Sequence, residues 1–215
     1  MTIIRNAATA AAIALAGSFY AGTAMAQDAA ATTEAAAPAI TEMAVGAEDA
    51  PITFIEYASF TCPHCANFHN NQYQQLKENY IDTGKVRFVF REVYFDRFGL
   101  WASMIARCGD NNTRFFGIND LLYENQQGWI GSGDPAEIAN NLRAIGREAG
   151  MSDAAIDACM ADQALAEGLV GWFTENAERD NVTATPTLFI NGQQYGNMSY
   201  ENLAAILDAE LAKAQ

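Results

Sequence analysis

The pattern of apolar positions first predicts two strands with a helix between them. Residues 52–59 (ITFIEYAS) are dense in β-branched and aromatic side chains, which is typical of a buried strand. Residues 65–80 contain neither proline nor glycine and place apolar side chains at helical spacing. Residues 86–91 place Val86, Phe88 and Phe90 on one face, as a second strand does. This order predicts a βαβ unit with parallel strands and a right-handed crossover.

From residue 99 to residue 179, helix signals replace the strand signals. Asp134 is a favourable N-cap, and Pro135 suits the first helical position that follows it. Ser152 is placed to cap the next helix, and residues 163–179 carry one apolar face. We therefore predict four or five helices in this region, which form an all-helical subdomain.

The strand pattern returns after these helices. Residues 187–190 read as a strand, and Asn191-Gly192 is a strong signal for a tight hairpin into residues 193–195. Residues 200–214 then repeat an apolar face at helical spacing. The complete order is βαβ, helices, ββα, which predicts an α/β fold with a helical insertion.

The first 42 residues do not follow these patterns. Residues 1–26 have one positive charge at Arg5, an uncharged run of small apolar residues, and Ala24 and Ala26 where a signal peptidase requires small side chains. These features predict a signal peptide that is cleaved after Ala26. The alternative is a membrane anchor, for which the apolar run is short and weakly hydrophobic. Residues 27–42 are a low-complexity segment that we expect to be flexible.

Composition limits the classes of partner. Of the 215 residues, half are hydrophobic and 18% are charged, so the chain can form the hydrophobic core of a soluble globular protein. The 26 acidic residues outnumber the 12 basic ones, and the net charge of −14 argues against binding to nucleic acid or to anionic membranes.

Export to the periplasm, an oxidising compartment, lets the four cysteines form disulfides in three possible pairings. We expect no metal, because a structural zinc site needs two ligand pairs and only one CxxC pair is present.

The motif that carries chemistry is Cys62-Pro63-His64-Cys65, at the point where the first strand meets the first helix. Free N–H groups and the positive end of the helix dipole favour a thiolate on Cys62, and an imidazolium at His64 would add to this effect. Pro63 suits the first helical position because its missing N–H is not needed there. We therefore expect Cys62 to be the nucleophile and Cys65 the more buried, resolving thiol. Their redox-active disulfide is the only cofactor we expect, and a purely structural disulfide is the alternative.

This motif and the order of elements resemble the DsbA family, in which a thioredoxin-like fold is interrupted by a helical domain. The resemblance extends from about residue 51 to residue 214 and places the thioredoxin-like domain in residues 43–98 and 180–215, with the helical insertion in residues 99–179. It implies a protein-disulfide oxidoreductase that introduces disulfides into reduced or unfolded exported proteins in the periplasm. It also implies reoxidation by a DsbB-like membrane quinone reductase.

The resemblance adds three residues to the site. Glu56 lies in an otherwise apolar strand and resembles the buried acid that assists proton transfer at the second cysteine; the alternative is a glutamate that reaches solvent. Pro186 resembles the cis proline that lies against the redox pair and leaves the backbone of Thr185 free to bind an extended substrate. An ordinary proline at the start of a strand is the alternative. Thr185 stands where the best-known DsbA proteins have valine, and its hydroxyl can change the pKa of the thiolate by a hydrogen bond.

Cys108 and Cys159 both fall in the predicted helical insertion. Our hypothesis is a structural disulfide that joins two helices, as some DsbA-like proteins carry, and the alternative is a pair of buried free thiols.

Two other functions remain open. A disulfide isomerase or reductase of the same fold usually oligomerises through an added N-terminal module, and residues 27–50 are too short and too poor in large apolar side chains to form one. This favours a monomeric oxidase. The third possibility is a substrate-binding chaperone in which the CxxC pair is only structural.

Overall fold

The computed structural model describes residues 39–109 and 111–214. The predicted signal peptide, residues 1–26, lies outside the described residues, as does most of the low-complexity segment. Among the helices of the described part, none is both long and apolar enough to cross a membrane.

Five strands form one mixed sheet in the order β1-β3-β2-β4-β5. These strands are β1 (Met43–Val45), β2 (Ile52–Ala58), β3 (Val86–Glu92), β4 (Thr187–Ile190) and β5 (Gln193–Gly196). The central strands β2 and β3 are parallel, as the βαβ prediction requires, and the other neighbours are antiparallel. The sequence pattern did not predict β1, because three residues are too few to show a periodicity.

The predicted hairpin joins β4 to β5. Asn191 and Gly192 have φ angles of 48° and 81°, so both adopt the left-handed conformation that a two-residue turn of this kind needs. Asn191 also accepts a hydrogen bond from the backbone N–H of Thr53 at 3.0 Å, which ties the turn to β2. This confirms the hairpin prediction.

The helix between β2 and β3 extends from Pro63 to Ile81, but its turns are not uniform. It runs through α1 (Pro63–Phe68), a π-helical stretch (His69–Tyr73), α2 (Gln74–Leu76) and a second π-helical stretch (Lys77–Ile81). A π turn holds an extra residue and rotates the side chains that follow it. In the first such stretch, His69 and Tyr73 are buried.

Seven further helices complete the described chain. They are α3 (Arg97–Ala106), α4 (Asn112–Glu124), α5 (Gln126–Ile130), α6 (Pro135–Glu148), α7 (Asp153–Met160), α8 (Gln163–Arg179) and α9 (Tyr200–Lys213). Six of them lie between β3 and β4, so the prediction of four or five helices was too low for this described region. The sequence pattern failed at α5, because a single turn that contains Gly128 does not repeat an apolar face.

The predicted caps are present. The carboxylate of Asp134 accepts from the backbone N–H groups of Ala136 and Glu137, and the hydroxyl of Ser152 accepts from that of Ala155.

A buried ion pair connects the helices to the sheet. Arg107 Nε lies 2.5 Å from Glu92 Oε1, and both side chains are at most 3% exposed. The helical insertion is therefore anchored on β3 by polar as well as apolar contacts.

Candidate active site

The cysteine motif lies at the end of the central strand β2, where the chain turns into α1. Cys62 is the N-cap residue with φ −84° and ψ 119°, and Pro63 occupies the first turn. The backbone N–H of Cys62 donates to Ser59 O at 3.1 Å, and Thr61 Oγ1 donates to Asp96 Oδ2 at 2.7 Å. These bonds hold the turn so that the side chain of Cys62 stands at the start of the helix.

The partly exposed thiol of Cys62 is the more acidic of the two. Its pKa is lowered from 9.0 to about 5, first by a hydrogen bond from the side chain of Cys65, then by the Thr185 side chain and the backbone N–H groups of Cys65 and His64. Partial burial opposes this shift but does not outweigh it. At neutral pH, Cys62 is therefore a thiolate in the reduced protein.

Cys65 has the opposite character. Its side chain is fully buried, and burial, its hydrogen bond to Cys62 and the charge of Glu56 all raise the pKa of its thiol. The two sulfurs therefore differ in reactivity, because Cys62 is an accessible thiolate and Cys65 is a buried thiol.

Glu56 lies inside the sheet, where β2 pairs it with Phe90 of β3 and Leu188 of β4. Its side chain is 0% exposed, and neither carboxyl oxygen has a hydrogen-bond partner among the described residues. Burial, followed by the negative charge of Cys62, holds the pKa of this carboxyl well above its usual value. The alternative of a glutamate that reaches solvent does not fit this position.

The loop before β4 also approaches Cys62. The peptide bond between Thr185 and Pro186 is cis, and the Cys62 sulfur lies 3.5 Å from Thr185 O, which accepts the S–H only when Cys62 is protonated. The buried Oγ1 of Thr185 has no hydrogen-bond partner of good geometry among the described residues, yet its hydroxyl is close enough to the Cys62 sulfur to lower the pKa of Cys62. The side chain of His64 is exposed to solvent, and its backbone N–H is the group that acts on Cys62.

Sequence reasoning missed Gln126, which comes from the one-turn helix α5. Its Nε2 donates to the carbonyl oxygens of Phe60 at 2.8 Å and Cys62 at 3.0 Å, and its side chain is only 3% exposed. Nothing in the local pattern distinguishes it from the adjacent Gln127, because its partners are 64 and 66 residues away.

His69 is a second residue whose role the pattern did not show. It is 1% exposed, and its Nε2 lies 2.7 Å from Asp120 Oδ1. Its ring stacks on that of Tyr73 with centroids 4.5 Å apart and is tilted against that of Tyr123 at 4.8 Å. This contact binds the active-site helix to α4. No cluster of three or more potential metal ligands occurs among the residues that the structure describes.

Cys108 and Cys159 form a disulfide with a Cα–Cα distance of 5.7 Å and a sequence separation of 51 residues. Cys108 follows the end of α3, and Cys159 lies in the last turn of α7. The bond therefore joins two helices of the insertion and leaves Cys62 and Cys65 as the free pair among the described cysteines.

Comparisons with known proteins agree with this geometry. A family model described as thioredoxin matches residues 38–209. The chain is 31% identical to a putative protein-disulfide oxidoreductase of Rickettsia bellii over 81% of this chain and 66% of that protein. It is 24% identical to disulfide bond formation protein D of Bacillus subtilis, over 78% of this chain and 76% of that protein. The chain thus spans slightly less than two thirds of the rickettsial relative.

Solved structures show the same likeness. Wolbachia pipientis alpha-DsbA1 superimposes with a TM-score of 0.76 at 28% identity, over 82% of this chain and 94% of that one. A protein-disulfide isomerase from Novosphingobium aromaticivorans superimposes with a TM-score of 0.71 at 25% identity, over 83% of this chain and 100% of that one. The chain therefore belongs to the thioredoxin family, and its fold is similar to that of the DsbA-like structures.

Proposed function

We propose that this protein is a periplasmic dithiol oxidase that transfers the Cys62–Cys65 disulfide to reduced or unfolded exported proteins. The observation that carries the proposal is the difference between the two thiols. The pKa of accessible Cys62 is lowered to about 5, while the pKa of buried Cys65 is raised. Only one sulfur of the pair is both exposed and a stable leaving group.

The exchange follows from this asymmetry. A client thiolate attacks the Cys62 sulfur, the Cys62–Cys65 bond breaks, and Cys65 leaves as a thiolate that takes up a proton. A second client thiolate then attacks the client sulfur of the mixed disulfide and expels Cys62 as a thiolate. The client loses two electrons and gains a disulfide, and the protein gains those electrons as a dithiol.

The same asymmetry sets the direction of exchange. A thiolate that is stabilised on Cys62 stabilises the reduced protein, so its disulfide is a stronger oxidant than an ordinary one. Glu56 is the proposed proton carrier for Cys65, because its buried carboxyl has no hydrogen-bond partner among the described residues and its ionised form would raise the pKa of that thiol. Protonated, the carboxyl can supply the proton that Cys65 needs when it leaves.

We further propose that the client binds along Thr185. Its carbonyl oxygen faces the Cys62 sulfur at 3.5 Å, so an extended client segment bonded to Cys62 can pair with this backbone by strand addition.

Reoxidation would come from a DsbB-like membrane quinone reductase, and the active form would be a monomer. N-terminal sequencing of the exported protein tests the location, and a start at Gln27 is the expected result.

The second candidate is a disulfide isomerase. The hydroxyl of Thr185 next to the sulfur pair favours it, and so does the likeness to a solved chain that is named a protein-disulfide isomerase. Two assays separate the candidates: oxidation of a reduced dithiol peptide, and repair of a protein with scrambled disulfides. An oxidase is fast in the first assay and weak in the second.

The cysteine variants supply the controls for both assays. Cys62→Ser and Cys65→Ser should both abolish oxidation of the peptide, whereas in the second assay the Cys62 thiolate of Cys65→Ser should attack a disulfide of the scrambled protein and accumulate as a mixed disulfide. A Cys108→Ala/Cys159→Ala variant lacks two cysteines outside the site and should still oxidise the peptide at temperatures where it is folded. If Cys62→Ser oxidises the peptide at the unchanged rate, the proposed function is wrong and a chaperone role is left.

A further inference from the structure

A groove of about 340 Å³ lies beside the active site, between α1 with the first π-helical stretch and the corner that joins α4 to α5. Pro63, the residue after the nucleophile, lines one part of it. Six side-chain amides and the carboxylate of Glu124 also line it, and no lysine, arginine or histidine is among its described lining residues. This is unlike the apolar lining that is typical of small-molecule pockets.

Three of these amide side chains use their amino groups in hydrogen bonds within the protein. Asn70 Nδ2 donates to Tyr123 O at 3.2 Å, and Asn71 Nδ2 donates to Asn67 O at 2.9 Å. The Nε2 of Gln126 is held by two backbone carbonyls of the active-site turn. The amino group of each of these three side chains thus makes a hydrogen bond within the protein, and their carbonyl oxygens accept none from the described residues, which leaves them available as acceptors.

Two further features make the groove electronegative. Glu124 is exposed, and its carboxylate forms no ion pair with a described residue. It is also the last residue of α4, a helix of 13 residues with no basic side chain in its last turn, so no cation of that turn offsets the carboxylate. A ligand that donates several hydrogen bonds and carries positive charge complements such a lining.

We propose that this groove is a specificity subsite for a lysine or arginine side chain of the client polypeptide, near the client cysteine that reacts with Cys62. The inference rests on the proposed function, since it concerns a client held as a mixed disulfide. A client chain bonded to Cys62 lies next to Pro63, and an extended chain advances roughly 3.3–3.6 Å per residue. A basic residue a few positions from the client cysteine therefore reaches the free oxygens and Glu124. An acidic residue at the same place is repelled.

The test uses reduced dithiol peptides in which a single arginine is moved stepwise along the chain on either side of the cysteines. The matched peptides carry glutamate at the same positions. We expect arginine at the best position to raise the second-order rate constant of oxidation about two- to fivefold at low ionic strength, as for a partly exposed ion pair. The preference should decrease as salt is added.

Two charge variants of the full-length protein complete the test. Glu124→Lys should abolish the preference for arginine or reverse it towards glutamate. Glu148→Lys makes the same change of charge at an exposed position on α6 outside the groove, and it should keep the preference. Equal rates for arginine and glutamate peptides, or a preference that Glu124→Lys leaves unchanged, would overturn the subsite. If no peptide is oxidised at all, the proposed function itself has failed.

Discussion

The side chain of Gln126 donates a hydrogen bond from Nε2 to the carbonyl oxygen of Cys62 at 3.0 Å. The donor belongs to the helical insertion, and the acceptor belongs to the residue that carries the nucleophile. The same carbonyl accepts from the backbone N–H of Ala66 at 3.1 Å, the first hydrogen bond of the active-site helix. The insertion is therefore part of the active site and holds the turn on which Cys62 stands.

Replacement of this amide should affect both stability and acidity. Gln126→Leu removes the side-chain donor to Phe60 O and leaves Cys62 O with the backbone N–H of Ala66, which we expect to cost about 1–3 kcal/mol in the free energy of unfolding. It should also raise the pKa of Cys62, because the carbonyl dipoles near the sulfur are then less well compensated and disfavour the thiolate. Ultraviolet absorbance of the thiolate against pH measures this shift. Gln74→Leu, at an exposed position, is the control, and an unchanged pKa in Gln126→Leu would contradict a positioning role.

The reactivity of Cys62 should follow its depressed pKa. Alkylation of the reduced protein is expected to reach half of its maximal rate near pH 5. Because the pKa is lower in the folded than in the unfolded protein, the thiolate stabilises the fold fully above pH 9.0 and this contribution is lost as pH falls through about 5. Denaturant unfolding of the reduced protein and of Cys62→Ser should show a difference that grows with pH across this range. A difference that is independent of pH would rule out the thiolate.

The Glu56→Gln variant should be more stable than the wild type above pH 4.5 and yet turn over more slowly. Burial raises the pKa of this carboxyl, so its neutral form is the stable one, and the wild type should lose stability relative to the variant as pH rises above 4.5. Turnover should fall about 10²-fold or more if the carboxyl carries the proton of Cys65. Stopped-flow kinetics over a pH series measures this effect. Equal rates for both proteins at all pH values would exclude Glu56 as the proton carrier.

The disulfide between Cys108 and Cys159 should contribute mainly to stability. Its removal in Cys108→Ala/Cys159→Ala opens a constraint across 51 residues, for which chain entropy predicts a loss of about 4 kcal/mol. Urea unfolding of the variant measures this loss. An unchanged unfolding midpoint would show that the bond does not act as a staple between α3 and α7.

Local chemistry explains why much of the fold could be predicted. The caps at Asp134 and Ser152 and the turn at Asn191-Gly192 each depend on residues that are adjacent in the chain. The position of Cys62 at a helix start is equally local, so its role as the nucleophile could be argued from the motif. The missing predictions concern β1, α5 and the π-helical turns, which are too short to show a period.

The amino-acid sequence alone determined the order of elements, the redox motif and the residue types around it. Tertiary structure decided that Glu56 has no hydrogen-bond partner among the described residues, that Cys65 is buried and that Gln126 donates to the carbonyl of Cys62. These properties depend on groups that are far apart in the chain and meet only when the sheet and the insertion pack together. Burial and long-range hydrogen bonds set the pKa values of the two thiols, and no local pattern encodes either of them.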